Sequence, residues 1–124
     1  VDNAEKGLHE ACKATGAVVS EYTAAPVFMN AEGKCRHQWV IEFSQQPADM
    51  EAFANALDLA LQHINSDYEA KRHKDITLQR LEVVTARQGL FNDWLKSKGK
   101  LGGQHKVPRL SNNRDIIDDI LKLN

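Results

Sequence analysis

The residues best suited to chemistry lie in one run, Lys100-Leu101-Gly102-Gly103-Gln104-His105-Lys106-Val107-Pro108-Arg109-Leu110. Gly102 and Gly103 let the backbone reach φ > 0 at little steric cost, whereas Pro108 fixes its own φ and pushes Val107 towards extended geometry. The run reads as a loop hinged at its glycines and stiffened at Pro108. His105, Lys106 and Arg109 sit at the stiff end, with Lys96, Lys98 and Lys100 before them and Arg114 after. From Arg87 to Arg114 there are seven Lys/Arg against the single acid Asp93, a local net of +6. Val1 to Ala86, by contrast, carries eight basic and thirteen acidic residues, so a chain of formal net charge −1 concentrates its positive charge in one place. A lysine on such a loop suits a phosphate or carboxylate that must be reached and then released. Charge and glycines by themselves favour the plainer reading, a solvated basic surface loop.

Other chemistries lack their residues. No GxGxxG follows a predicted strand, and Gly99-Lys100 has neither the upstream glycine nor the Ser or Thr of a phosphate loop, so the domain should not hold a nucleotide by itself. There is no GxSxG elbow, and Ser20, Ser44, Ser66, Ser97 and Ser111 have no plausible local base. Cys12 and Cys35 stand apart, with no CxxC spacing and no Cys/His cluster, which argues against zinc. Reduced core thiols are expected, as in a cytoplasmic protein. His9, His37, His63 and His73 form no ligand pattern. Asp118 and Asp119 are expected on the outer, solvated side of a helix. No apolar run approaches the ~20 residues needed to span a bilayer, so no membrane partner is expected. No signal peptide opens the chain, and Val1 is not an initiator methionine, which suggests a piece of a longer polypeptide.

The elements that must position the basic run follow from periodicity. Asp2 and Glu5 form a capping-box-like start to a helix that places Ala4, Leu8, Ala11, Cys12 and Thr15 on one face and ends at Gly16. Ala17 to Met29 is extended, with Pro26 marking an edge strand or a bulge. A turn at Asn30-Ala31-Glu32-Gly33 makes it a hairpin with Lys34 to Phe43. In that second strand His37, Trp39, Ile41 and Phe43 share a packed face, and Arg36, Gln38 and Glu42 a wetter one. Pro47 opens a helix with a core stripe of Met50, Phe53, Ala54, Leu57, Ala60, Leu61 and Ile64. Asn65-Ser66-Asp67 caps a second short helix, on which Glu69, Lys71 and Arg72 are expected to be solvated. Leu81 to Ala86 is a strand parallel to an earlier one. Gln88 to Lys98 is a helix burying Leu90, Phe91, Trp94 and Leu95. After the basic run, Asn112 caps a last helix carrying Ile116, Ile117, Ile120 and Leu121 inward. The expectation is one small α+β domain over residues 1–124, a mixed β-sheet of about three to four strands flanked by helices.

Across most of its length the chain resembles the C-terminal domain of the Gretchen Hagen (auxin-responsive promoter) family of acyl acid–amido synthetases, particularly its bacterial members. The resemblance rests on the helix ending Thr15-Gly16-Ala17 and the strand His37-Gln38-Trp39-Val40-Ile41-Glu42-Phe43. It continues through Asn65-Ser66-Asp67-Tyr68-Glu69-Ala70-Lys71-Arg72 and Gly89-Leu90-Phe91 to His105-Lys106-Val107-Pro108-Arg109. It implies an adenylate-forming ligase. A large N-terminal domain, absent from this chain, would bind ATP with magnesium and an acyl acid. The small C-terminal domain would swing over that site as a lid and bring a lysine to the phosphate, before an amino acid attacks and AMP leaves. Plant members carry Tyr-Lys-Thr-Pro-Arg where this chain has His105 to Arg109, so the lysine carries over onto Lys106, and the proline and arginine onto Pro108 and Arg109. The tyrosine and threonine do not.

The resemblance makes Lys106 the candidate catalytic residue, and Arg109, His105, Lys100 and Lys6 candidates for phosphate or substrate contact. Plant members also carry a lysine near the hinge entering this domain, for which Lys6 is the candidate match. For Arg109 two readings stay open, phosphate or domain-interface contact and a plain structural ion pair. The expected partners are the protein's own N-terminal domain, the acyl acid and an amine such as an amino acid; alone, the domain should be inactive. The rival readings are a free-standing polyanion-binding or dimerising module. Against nucleic acid, Phe91 and Trp94 fall on a predicted buried face instead of interleaving with the basic residues. For dimerisation, the strand edge at Pro26 would be the place.

Overall fold

The computed structural model describes residues 2–28, 35–73, 77–99 and 107–124. Among these, three strands form one mixed sheet, β1 (Val18–Phe28), β2 (Cys35–Gln45) and β3 (Glu82–Thr85), in the order β1-β2-β3. β1 and β2 are antiparallel, with Tyr22 opposite Ile41 and Ala24 opposite Trp39. β3 lies parallel to β2, with Val84 opposite Val40. The helices are α1 (Asp2–Thr15), α2 (Met50–Ile64), α3 (Ser66–Arg72), α4 (Leu90–Ser97) and α5 (Asp115–Leu121). The parallel pair requires a crossover, and α2 and α3 supply it. The expected α+β domain is the fold observed.

Local signals account for most boundaries. Gly16 closes α1 at φ 75°, its N–H returning to the Cys12 carbonyl at 2.8 Å. The Asp49 carboxylate accepts the Glu51 and Ala52 N–H groups at the start of α2. Asn65 both ends α2 and caps α3, accepting from the Asp67 and Tyr68 N–H groups. α5 begins after Arg114, and it is Asn113, not Asn112, whose side chain accepts the Asp115 N–H, at 3.0 Å. Pro26 lies on an edge strand, as its missing donor demands. The register shifts fall near the other end of β1, between Val18 and Glu21.

The sheet is covered on both faces. Leu8, Ala11, Tyr22, Trp39, Ile41, Phe43, Phe53, Leu57 and Leu61 make one core under α1 and α2. Ala25, Val40, Ala86, Leu90, Phe91, Trp94, Val107, Ile117 and Ile120 make a second under α4 and α5. The face of β2 expected to be the wetter one is dry at Val40, although Arg36, Gln38 and Glu42 on it stay partly exposed. Arg36, Gln38 and Glu42 flank Val40, which is fully buried; Arg36 and Gln38 meet Glu82, and Glu42 accepts the Gly89 N–H. Burial of about 25 cal/mol per Å² of apolar surface on both faces makes β2 the axis of the domain. No helix among the described residues is long and apolar enough to cross a membrane.

Candidate functional site

Lys100, Gly102, Gly103, His105 and Lys106 lie outside the described residues, but the chain on either side of them is fixed. Before them, α4 closes at Gly99, which adopts φ 69°. After them, Val107 is 3% exposed and packs among the residues of the second core. The hydroxyl of Thr23, itself buried, donates to the Pro108 carbonyl at 2.7 Å. The Ala24 N–H donates to the Arg109 carbonyl at 2.9 Å, and the Ser111 N–H donates to the Ala24 carbonyl at 3.1 Å. Residues 107–111 are thus strapped along the outer edge of β1, with Leu110 bridging Ala24 in parallel. The strap satisfies backbone groups that an edge strand leaves open. It also occupies Ala24, in the middle of the edge that the rival dimerising reading would use.

Arg109 continues the strap through its side chain. Its Nε donates to Glu21 Oε1 at 3.1 Å on β1, and Nη1 donates to Glu5 Oε1 at 2.5 Å on α1. The guanidinium carbon lies 5.2 Å from the centroid of the Tyr22 ring, within reach of a cation–π contact. Tyr22 is 2% exposed, stacks on Trp39 at 5.5 Å and donates its hydroxyl to the same Glu5 Oε1 at 3.2 Å. Burial, reinforced by the neighbouring Glu5 carboxylate, pushes the Tyr22 phenol up to about 12, so it serves as a donor throughout the neutral range. Burial works against the Arg109 cation, but the Glu21 and Glu5 carboxylates outweigh it and raise its pKa. Within the domain, Arg109 therefore forms ion pairs with both carboxylates. A cavity of about 280 Å³ opens beside this cluster, with Glu5, His9, Cys12, Ser20, Glu21 and Arg109 on its wall.

Lys6 is exposed on α1, one residue after Glu5. It stands on a groove of about 710 Å³ between α1 and α2, beside His9, Glu10, Leu59 and His63. The first turns of α1 therefore hold one sequence-predicted residue, Lys6, and the partner of another, Glu5. Nothing in the sequence pattern singled out Glu5, Glu21 or Tyr22 as a clamp. The sequence pattern suggests only a capping role for Glu5, and its partner Arg109 is 104 positions away.

Of the charged residues expected in solvent, Glu69, Lys71 and Asp118 are exposed, whereas Arg72 is not. Arg72 donates through Nε and Nη2 to Asp58, at 2.9 to 3.1 Å, and through Nη1 to the Leu78 carbonyl at 3.3 Å. Asp58 is 3% exposed and also accepts the Tyr68 hydroxyl at 2.6 Å. The short α3 turns Arg72 back over α2, which no local pattern signals. His37 stacks on Tyr68, and burial, with Lys71 nearby, holds its pKa below the usual histidine value. On α5, Asp118 accepts from Arg114, and Asp119 accepts the Trp94 indole N–H at 2.7 Å and pairs with Lys98 at 2.8 Å. Cys12 and Cys35 are free. Among the described residues no group of three or more His, Cys, Asp or Glu could hold a metal ion.

The fold is shared with solved acyl acid amido synthetases. The AtGH3.15 acyl acid amido synthetase in complex with 2,4-DB superposes with TM-score 0.74 at 16% identity, over 98% of this chain and 23% of that one. A second structure of the GH3.15 acyl acid amido synthetase gives TM-score 0.75 at 16% identity, again over 98% of this chain and 23% of that one. This chain therefore spans less than a quarter of the length of those enzymes. No curated protein matches the sequence. The model of the GH3 family C-terminal domain matches residues 2–115, nearly the whole chain. The chain belongs to the GH3 family and corresponds to its C-terminal domain.

Proposed function

We propose that this domain is the moving C-terminal part of an ATP-dependent acyl-acid amido ligase, and that Lys106 is the group it contributes to acyl-adenylate formation. The observation that carries the reading is the family membership of a chain whose concentrated positive charge precedes a strapped segment. Val107 and the β1 strap hold the chain from the residue next to Lys106 onward.

In the first half-reaction an acyl carboxylate oxygen attacks the α-phosphorus of ATP, an O–P bond forms, and the bond to pyrophosphate breaks. Negative charge accumulates on the α-phosphoryl oxygens. An ammonium group aimed there stabilises the transition state more than the ground state. In the second half-reaction an amine nitrogen, such as that of an amino acid, attacks the acyl carbon, loses a proton and expels AMP. A domain that closes for one step and reopens for the next can serve both. ATP, its magnesium and the acyl acid would be held mainly by the N-terminal domain. His105 and Lys100 would add positive potential near the phosphates, and Lys6 would act where the two domains join.

The test is acyl-dependent exchange of pyrophosphate into ATP by the full-length enzyme. Lys106→Ala should slow it roughly 10²–10³-fold, the usual cost of losing one preorganised donor, with an unchanged melting temperature. Ordinary exchange rates in that variant would take Lys106 out of the mechanism.

A further inference from the structure

We infer that Arg109 is a positioning residue: clamped between Glu5, Glu21 and the Tyr22 ring, it holds the strap that begins one residue after Lys106 against α1 and β1. The inference rests on the reading that Lys106 acts on the phosphate, and it assigns a different task to its basic neighbour. Two guanidinium nitrogens are already committed, one to each carboxylate, at 3.1 Å and 2.5 Å. With two carboxylates against one guanidinium, the immediate surroundings of Arg109 carry net negative charge. An incoming phosphate would meet that negative charge at whatever donors the guanidinium has left. The clamp instead crosses three parts of the fold at once. Glu5 belongs to α1, Glu21 to β1, and Arg109 to the strap beginning one residue after Lys106.

The backbone strap fixes the position of residues 108–111 along β1, and the side-chain clamp adds α1 to the same frame. A planar guanidinium that donates to two separate carboxylates is a task for which lysine is a poor substitute. Each ion pair is partly exposed, with the Arg109 side chain 34% accessible, so its effect on global stability is small. Its effect on placement is larger, because a misplacement of about 1 Å can cost on the order of 10²-fold in rate.

The experiment uses the full-length enzyme, pyrophosphate exchange and thermal melting. Glu5→Ala with Glu21→Ala frees the guanidinium without removing it; the expected result is a fall in kcat of about tenfold with KM for ATP nearly unchanged. Arg109→Gln should reproduce that split, and Arg109→Lys should recover only part of the loss. Charge exchange, Arg109→Glu with Glu21→Arg, should restore activity above that of Arg109→Glu alone. Normal exchange in the double alanine variant, while Lys106→Ala remains slow, would overturn the clamp and leave the lysine reading standing. A rise in KM for ATP with kcat intact in Arg109→Gln would also overturn it, in favour of direct phosphate contact. Normal exchange in Lys106→Ala would remove both. If the double variant melts at the assay temperature, single Glu21→Gln carries the same kcat-against-KM comparison.

Discussion

Asp58 is the residue whose role most exceeds what its position along the chain suggests. It sits on α2 next to Leu57, inside a helix whose stripe is otherwise apolar, and is 3% exposed. A buried carboxylate persists only when its charge is met. Here the Tyr68 hydroxyl, the Arg72 guanidinium and the Gln62 amide all donate to it. Tyr68 responds as expected: burial and this hydrogen bond raise its pKa strongly, so it stays a donor. Asp58→Ala removes the acceptor these donors share and should lower stability by about 3 kcal/mol, measured from urea unfolding midpoints. A change below about 0.5 kcal/mol would show that the network is incidental. Arg72 was legible as a charge on a helix and no more, because its partner is set by how α3 folds back.

At the scale of elements, the contact that organises the first core is α1 against α2. Gly7 makes it possible: a Cβ there would lie 2.9 Å from Leu61 Cδ2, 3.2 Å from Leu61 Cγ and 3.3 Å from Leu57 Cδ1. Leu57 is fully buried and cannot give way freely. Gly7→Val gains a few tenths of a kcal/mol in helix propensity but overpacks this seam, at a cost of about 1–3 kcal/mol. The net loss should appear as a lower melting temperature, and a stabilised variant would contradict the close approach. Helix and strand limits were largely readable, since Asp49, Asn65, Gly16 and Pro26 announce them through their own backbone chemistry. The double-sided burial of β2 was not. Val40 sits between polar residues, and only the arrival of α4, α5 and Val107 on its face makes it core.

At the scale of the whole molecule, the domain matches its solved relatives over 23% of their length. It lacks a glycine-rich phosphate loop, and the Arg109 guanidinium is engaged by carboxylates. Calorimetric titration of the 124-residue chain with ATP is therefore expected to give no tight binding. Micromolar affinity would contradict the reading of a lid that completes a pocket built elsewhere. The sheet edge argues in the same direction. With Ala24 taken by the strap, the middle of the β1 edge is not open to strand pairing between copies.

What the amino-acid sequence determined by itself was local or compositional. It set the α+β class, the order of elements, most caps, the single concentration of positive charge and the short motifs that carry the family likeness. These depend on periods of 2 and 3.6 residues and on the backbone preferences of single residues. Only the tertiary structure decided which faces of the sheet are dry, that Asp58 and Arg72 are partners, and that Glu5 meets Arg109 across 104 positions. Such pairs share no period or spacing. They exist because separate elements bury their apolar faces together, and the charged groups at the margins then find one another.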